Sequence, residues 1–314
     1  MVEEIPAYLP GGSGEHLMIL VQKHGLTTRQ VVDALAAHAG ITARNIGTAG
    51  LKDKQALTRQ WVSLPASCTE RMKTFSCKGV EILEQDLHRN KLKTGHLKGN
   101  RFIIRVRDLQ PEGVEDVIRR GHRLLADGVP NYFGSQRFGP GMQNLQNGMD
   151  LLKGKRKHRP GRTLRLVLNA VQSALFNDVV ATRVRKGFFK KVLAGDILVK
   201  ADSGGIFSCQ DPAVDQERLD AGEIHVTGPM FGPRMRLPEG KSLEMETEIL
   251  RASGLTVESF KKFKKLTRGT RRSQRVFPLD FNTEARPDGV ILSFSLPPGA
   301  YATTLLAELV KQGV

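Results

Sequence analysis

The sequence has few cysteines and no long apolar run. Its three cysteines, Cys68, Cys77 and Cys209, are not spaced as a metal knuckle or a disulfide framework. We therefore expect them only to pack, in a protein of the reducing cytoplasm. No apolar run approaches the roughly 20 residues that span a bilayer, and the N-terminus lacks an apolar signal core. A dinucleotide fingerprint, a Walker-type loop and a metal-ligand cluster are also missing, so we expect no membrane partner and no cofactor.

What the sequence has in excess is positive charge. Its 48 lysines and arginines oppose 32 aspartates and glutamates, which gives a formal net charge of +16 and a pI near 10.0. In a chain of 314 residues this balance indicates a polyanionic partner, with nucleic acid as the first candidate. With 39% hydrophobic and 25% charged residues, the composition is typical of a soluble globular protein with one large core or two ordinary domains.

The stretch Gly47–Trp61 is the strongest candidate for a catalytic loop. Small residues precede Asp53, and Lys52 and Lys54 flank it. An acid held among cations is expected to stay ionised at neutral pH, and an ionised, positioned carboxylate serves as a nucleophile or a base. The plain alternative is an exposed Lys-Asp-Lys turn among ordinary surface charges.

Apolar spacing predicts the elements around this loop. Residues 15–22 form an apolar run of strand length, and Thr27 or Thr28 can cap a helix that ends at Gly40. The loop therefore lies between a helix and the strand that follows it, a common position for catalytic residues. Further along, the pattern predicts a half-buried strand at 102–107, helices at 112–126 and 166–186, a strand at 289–296 and a helix at 300–311.

Residues 130–139, with the sequence PNYFGSQRFG, combine aromatics, glycines, an amide and an arginine. This mixture suits a base-binding pocket, because rings stack on bases, glycines admit a ligand, and Asn and Arg supply hydrogen bonds. The alternative is a tight turn whose aromatics fill the core.

Two segments are densely basic. Residues 153–165 hold seven lysines and arginines and no acid around Pro160-Gly161, which is typical of a mobile linker and marks a domain boundary. Residues 261–275 hold eight, again with no acid, and such density suits a row of phosphates, although a solvated basic face is the alternative. A shorter basic segment precedes the strand at 102. The residues predicted to contact RNA are Lys91, Lys93, Lys98, Arg156, Arg159, Lys261, Lys264, Arg268, Arg271 and Arg272.

The last strand and helix are apolar enough to complete an earlier core rather than form one alone. We therefore predict a discontinuous domain of residues 1–152 and 276–314, interrupted by a smaller α/β domain at 153–275.

Five sequence blocks resemble the TruD family of tRNA pseudouridine synthases. The first, Gly50–Trp61 (GLKDKQALTRQW), is similar to a family pattern that runs roughly Gly-x-Lys-Asp-[Lys/Arg]-x-Ala-[Val/Leu]-Thr-x-Gln. The other four follow in the family's order at 91–102, 129–139, 173–177 and 296–303. The blocks run from residue 50 to residue 303 and so cover most of the chain, and chance agreement of all five is improbable.

This resemblance implies an α+β fold, with a pseudouridine synthase core on a mixed, largely antiparallel sheet, an inserted α/β domain and a cleft that takes tRNA. By the same resemblance Asp53 matches the catalytic aspartate, Phe133 the aromatic residue that packs on the target base, and Asn131 a polar residue that helps hold the active-site loop. Lys52, Gln136 and Arg137 belong to the same motifs and are expected to bind substrate. The partner implied is tRNA, acted on by a monomer without a cofactor.

The family pattern also includes a basic strand and a Pro-Glu-Asp-Phe-like motif with a lysine near the active site. This sequence begins after the position where that motif would stand, so the resemblance leaves open which cation pairs with Asp53.

Conversion of uridine to pseudouridine fits these residues, since it needs no redox change and no external energy. Asp53 would either attack the nucleoside covalently or take the 2′ proton to open a route through a glycal. Two other functions remain as alternatives at this point. One is a basic RNA-binding or RNA-folding protein that does not catalyse. The weaker one is an acid-dependent nuclease, because the carboxylates are not clustered for metals.

Overall fold

The protein is described by a computed structural model that covers residues 1–157 and 161–310. Arg159, one of the residues predicted to contact RNA, lies outside the described residues. The chain divides into two compact units. The first holds Met1–His122 and Pro278–Gly299, and the second holds Arg123–Phe277 and the chain from Ala300 onward. The status of residues 153–275 as an inserted domain stays a prediction.

The described residues form β-strands and α-helices in an irregular alternation. The strands are β1 (Val2–Pro6), β2 (His16–Lys23), β3 (Gly47–Thr48), β4 (Thr58–Pro65), β5 (Val80–His88), β6 (Leu97–Arg107), β7 (Val129–Pro130), β8 (Ile197–Lys200), β9 (Ile206–Ser208), β10 (Ile224–Met230), β11 (Thr270–Ser273), β12 (Arg275–Val276), β13 (Leu279–Arg286) and β14 (Gly289–Leu296). The helices are α1 (Thr28–Ala39), α2 (Thr69–Met72), α3 (Pro111–Asp127), α4 (Gln143–Leu152), α5 (Arg162–Arg185), α6 (Pro212–Asp220), α7 (Gly240–Ala252), α8 (Val257–Lys261) and α9 (Ala302–Leu309).

The first unit is built on one mixed sheet with the strand order β13-β14-β6-β1-β4-β2-β5, and β3 pairs with β4 beside this path. Strands β1 and β4 are parallel, whereas the other neighbours in the order are antiparallel. The predicted mixed, largely antiparallel sheet is therefore confirmed. The strands predicted at 15–22, 102–107 and 289–296 are also confirmed, as β2, the second half of β6, and β14.

Helix α1 shares the apolar core of this unit with strand β2. Leu17, Ile19 and Val21 alternate along β2, and each is at most 1% exposed. They form one cluster with Val31 and Leu35 of α1. The alternate side chains on one face of the strand thus pack against the apolar face of α1. This core fixes both elements that flank the candidate catalytic loop.

The ends of α1 follow the predicted signals. The side-chain oxygen of Thr27 accepts a hydrogen bond from the Gln30 amide at 3.2 Å, and the Gln30 side chain accepts one from the Thr27 amide at 2.9 Å, which completes a capping box. Gly40 ends the helix with φ at 68°, a left-handed conformation that glycine adopts without strain. Thr27 is thus the cap, and Thr28, the other candidate, is buried.

The second unit is organised around helix α5. The sheet beside it has the order β11-β10-β8-β9, and β7 pairs with β12 separately. Helices α4 and α7 pack on α5, whose Leu168 and Val171 are 0% exposed within the apolar cluster that these helices share. The helix predicted at 166–186 is confirmed, with its start earlier at Arg162.

We expect Thr27→Ala to lower the free energy of unfolding by about 1 kcal/mol, because it leaves the Gln30 amide without its cap. The single tryptophan, Trp61, lies buried on β4, so its fluorescence during urea unfolding reports on the first unit. Thr42→Ala is the matched control, since Thr42 precedes a short 3₁₀ helix without making a side-chain cap. Equal losses in the two variants would contradict the assignment.

Candidate active site

The Asp53 loop is held by buried side chains while Asp53 itself is exposed. Lys52, the residue before it, is 8% exposed, and its Nζ atom lies 2.5 Å from Oε2 of Glu4 on β1. The side chains of this ion pair are 4% and 1% exposed, respectively. The Lys52 amide also donates to the hydroxyl of Thr28 at 2.9 Å, and that hydroxyl donates to the Gln60 side chain on β4. The loop is therefore tied to α1, β1 and β4.

A second buried lysine supports the loop from strand β2. Lys23 is 1% exposed, and its Nζ donates to the main-chain carbonyl oxygen of Asp53 at 2.7 Å. Burial lowers the pKa of the Lys23 amine, and the negative charge of Asp53 partly opposes this shift. Lys23 is thus a cation that the structure places next to Asp53. Sequence reasoning missed it, because a lysine at the end of an apolar strand normally points to water.

Burial in this ion pair disfavours the charged form of the Glu4 carboxyl group. Burial raises its pKa, and the charge of Lys52 and their hydrogen bond partly offset the effect. One carboxyl oxygen, Oε1, has no hydrogen-bond partner among the described residues. A buried carboxylate with one unsatisfied oxygen depends on its single cationic partner, so the Glu4–Lys52 pair should be sensitive to the removal of either side chain.

The segment before Asp53 requires a glycine at its start. At Gly47 on β3, an added Cβ would stand 2.2 Å from the main-chain oxygen of Leu92, so only glycine fits between β4 and that backbone. This confirms the expectation that small residues before Asp53 allow a close backbone approach. Leu51, in contrast, is 83% exposed at the outer edge of the loop.

In the second unit, the Phe133 ring is surrounded by rings and guanidinium groups. The Arg272 guanidinium carbon lies 4.2 Å from the ring centroid, and that of Arg137 lies 5.5 Å from it. Phe176 and Tyr301 make edge contacts, with centroids at 5.6 and 5.8 Å. Phe133 is only 8% exposed and belongs to a buried cluster of apolar side chains that includes other aromatic rings. Its ring also makes cation–π contacts with the two arginines.

Amide side chains fix the backbone around Phe133. Asn177 on α5 accepts from the Phe133 amide at 2.9 Å and donates to its carbonyl oxygen at 3.0 Å. Asn131 accepts from Arg272 at 2.6 Å and donates to the carbonyl oxygen of Ser273 at 2.9 Å. Burial lowers the pKa of Arg272 to about 10, and the charge of Arg137 adds to the effect. Asn131 thus holds a segment in place, the kind of role that the resemblance implies for it.

Two residues predicted to contact substrate or RNA are buried in ion pairs. Lys52 is paired with Glu4, as described above. Arg271 lies within 2.8 Å of Glu246 on α7, with side chains 2% and 6% exposed, and it also donates to Thr227 on β10. The structure therefore gives both residues a role inside the protein.

Apart from Phe133, Asn131 and Arg272, described above, the other predicted contact residues within the described part of the chain lie nearer the surface. Gln136 is exposed, and Arg137 is half-buried with its Nε donating to the Ser173 hydroxyl at 3.2 Å. Lys91 is half-buried and donates to the carbonyl oxygen of Arg44 at 2.6 Å. The exposed basic residues are Lys93, Lys98, Arg156, Lys261, Lys264 and Arg268. Within this set Lys261 is paired with Glu258 and Arg156 donates to Asn147, so the remaining four are the most available for an anionic partner.

The sequence matches the family profile described as tRNA pseudouridine synthase D (TruD), over residues 1–159 and 141–309. It is 42% identical over 316 residues to tRNA pseudouridine synthase D of Anaeromyxobacter dehalogenans, a match that covers 99% of this chain and 90% of that protein. It is 44% identical over 316 residues to tRNA pseudouridine synthase D of Thermus thermophilus, and this match covers 99% and 86%, respectively.

Among solved structures, the fold is similar to that of a candidate tRNA pseudouridine synthase D (TruD) from Methanosarcina mazei. The TM-score is 0.79 at 24% identity, and the match covers 99% of this chain and 91% of that one. At this identity the likeness shows the fold alone, and it confirms the expected α+β architecture. Among the helices of the described residues, none is long and apolar enough to cross a membrane.

We expect Glu4→Gln to lower the free energy of unfolding of the first unit by about 3–5 kcal/mol, because it leaves Lys52 charged and unpaired in the interior. Combining it with Lys52→Met should recover most of this loss, since an apolar side chain of similar length removes the stranded charge. Trp61 fluorescence during urea unfolding measures both.

Glu3→Gln is the matched control, because Glu3 is the neighbouring half-buried glutamate on β1, outside the ion pairs of the described residues. Its effect should stay within about 0.5 kcal/mol. A Glu4→Gln variant no less stable than Glu3→Gln would show that the buried pair does not hold the loop.

Proposed function

The chain belongs to the TruD family of tRNA pseudouridine synthases, and on this premise we propose that it isomerises uridine 13 in the D arm of tRNA with Asp53 as the catalytic residue. The observation that supports this assignment most is the Asp53 loop. Its backbone is tied down by Lys23, Thr28 and the Glu4–Lys52 pair, while the Asp53 side chain is exposed. A reactive group on a fixed backbone is the arrangement that catalysis by positioning requires.

The isomerisation breaks the bond from C1′ to N1, turns the uracil and joins C5 to C1′. In the covalent route a carboxylate oxygen of Asp53 attacks C1′ and N1 leaves with the bonding electrons. C5 then displaces the carboxylate, after which C5 loses its proton and N1 gains one. In the glycal route Asp53 takes the 2′ proton as uracil departs, and the proton returns to C2′ when C5 adds to C1′. As in the covalent route, C5 then loses its proton and N1 gains one. Both routes place the Asp53 carboxylate against the ribose.

The target base must leave its stack before either route begins. Flipping costs a few kcal/mol, which stacking on Phe133 and contacts of basic residues with the RNA backbone would offset. The Phe133 ring and the Arg272 guanidinium support this role, since RNA bases stack on both aromatic and guanidinium planes. Asn131 and Asn177 hold this pair of side chains and the Phe133 backbone. As an enzyme of tRNA maturation the protein would act in the cytoplasm, as a monomer.

We expect Asp53→Asn to abolish pseudouridine formation, with a loss of at least about 100-fold, while tRNA binding is kept. Because the Asp53 side chain is exposed, its replacement should change stability by no more than about 0.5 kcal/mol. Unmodified tRNA transcripts are incubated without added metal, and pseudouridine is mapped by carbodiimide-dependent primer-extension stops.

Asp86→Asn, an exposed aspartate on β5, is the control and should keep full activity. An Asp53→Asn variant as active as the parent would remove Asp53 from the mechanism. A parent that binds tRNA tightly and forms no pseudouridine would instead favour a non-catalytic RNA-binding protein.

Phe133→Leu should lower kcat/KM for tRNA by about 10- to 100-fold, because leucine keeps an apolar side chain but offers no ring face for a base. Phe138→Leu is the matched control in the same apolar cluster, where Phe138 is 6% exposed. Both variants should lower Tm, but only Phe133→Leu should lower kcat/KM at temperatures where the protein is folded. Equal kinetic effects would show that Phe133 serves only in packing.

A further inference from the structure

A pocket of about 280 Å³ opens on the surface of the second unit, next to the Phe133 cluster. Two cationic side chains, two amides and two apolar side chains contribute to its lining. They are Arg137, Arg268, Asn169, Gln172, Met230 and Leu266. Among the described residues no acid lines it, so it combines positive charge, hydrogen-bonding groups and an apolar wall in one concavity.

The two arginines of the pocket differ from two buried arginines of this unit. Arg271 and Arg183 are each paired with an acid, Glu246 and Asp196, respectively. Arg137 and Arg268 form no ion pair with the described residues. Bringing two such guanidinium groups to one pocket costs electrostatic free energy, which an anion bound between them would offset. Guanidinium groups match phosphate in both charge and hydrogen-bond geometry.

The amides of the pocket supply groups that can contact a base. Gln172 donates through Nε2 to the carbonyl oxygen of Phe231 at 2.6 Å, which fixes its side chain and leaves Oε1 as an acceptor. The Asn169 side chain makes no hydrogen bond to the described residues, so both its donor and its acceptor are available. Unstacked RNA bases are recognised by such groups on their exposed edges.

Arg137 connects this pocket with the proposed base-stacking site. It lies on a short 3₁₀ helix, Ser135–Phe138, that begins just after Phe133. Arg137 lines the pocket, and its guanidinium carbon lies 5.5 Å from the Phe133 ring centroid. Because Arg137 belongs to both, the pocket lies beside Phe133.

We propose that this pocket binds the nucleotide adjacent to the modified uridine, with its phosphate between Arg137 and Arg268 and its base edge at Asn169 and Gln172. The proposal rests on the proposed function and adds a specificity site to it. Such a site restricts modification to RNA in which the neighbour of the target is also unstacked.

The test is a thermodynamic cycle between protein and RNA, measured as binding so that it does not depend on catalysis. In the Asp53→Asn background, Arg268→Ala is combined with tRNAs that carry one neutral methylphosphonate linkage at each position around uridine 13. We expect Arg268→Ala to weaken binding of ordinary tRNA about tenfold, as removal of a charged hydrogen bond does. At one linkage next to the target the neutral substitution should weaken binding less in Arg268→Ala than in the protein that keeps Arg268, because only Arg137 then still contacts that phosphate. The salt dependence of binding should fall by about one released counterion in Arg268→Ala.

Arg234→Ala is the matched control, because Arg234 is an exposed arginine of the same unit that does not line the pocket. The factor by which Arg234→Ala weakens tRNA binding should multiply with the factor due to the neutral linkage at every position. Since Arg268 is exposed, both variants are expected to fold, and equal Tm values check this. Multiplicative losses for Arg268→Ala at every linkage would overturn the proposal.

A second cycle examines the base. Asn169→Ala should weaken binding of ordinary tRNA and have no effect when the adjacent nucleotide is abasic, and an unchanged effect on abasic tRNA would contradict the base contact. The activity assay of the parent protein tests the proposed function separately from the proposed role of the pocket. An inactive parent refutes the proposed function, whereas an active parent with multiplicative cycles refutes the pocket alone.

Discussion

The ion pair between Lys52 and Glu4 is the interaction on which the Asp53 loop depends. Both side chains are almost completely buried, so each has lost most of its hydration, a penalty of several kcal/mol per ion before the partner offsets it. An apolar pair of similar volume would serve stability as well. The charged pair also fixes the orientation of the lysine side chain, because a buried ammonium group must point at its carboxylate. Lys52 therefore sets the path of the backbone that carries the next residue, Asp53.

The second unit uses the same device on strand β11. Neighbouring residues on a strand face opposite sides, and Arg271 and Arg272 follow this rule. Arg271 reaches Glu246 in the interior, whereas Arg272 lies over the Phe133 ring and bonds to Asn131. Fixing Arg271 on one side thus fixes the register of Arg272 on the other. The basic block at 261–275 is consequently a mixture of structural and surface cations rather than one solvated face.

Local patterns in the sequence predicted much of the fold and only part of the site. An apolar run of strand length identified β2, alternation identified the second half of β6, and a threonine cap with a terminal glycine identified both ends of α1, because these signals act within a few residues. Lys23, Glu4 and the partner of Arg271 could not be found in this way. Glu246 lies 25 residues from Arg271, and Glu4 lies 48 residues from Lys52. Charge density cannot show which cations the fold buries, since burial depends on such distant partners.

The position of Lys23 also bears on how Asp53 can react. Lys23 donates to the main-chain carbonyl of Asp53 and not to its carboxylate, and within the described residues the carboxylate oxygens accept no hydrogen bond. In the proposed reaction a direct ion pair would occupy the oxygens that meet the ribose, and it would have to break before that reaction. Binding through the backbone avoids this conflict, because it places a positive charge near the acid while the carboxylate remains open to substrate. Under the proposed function, the backbone of Asp53 would therefore fix its position while its carboxylate would react.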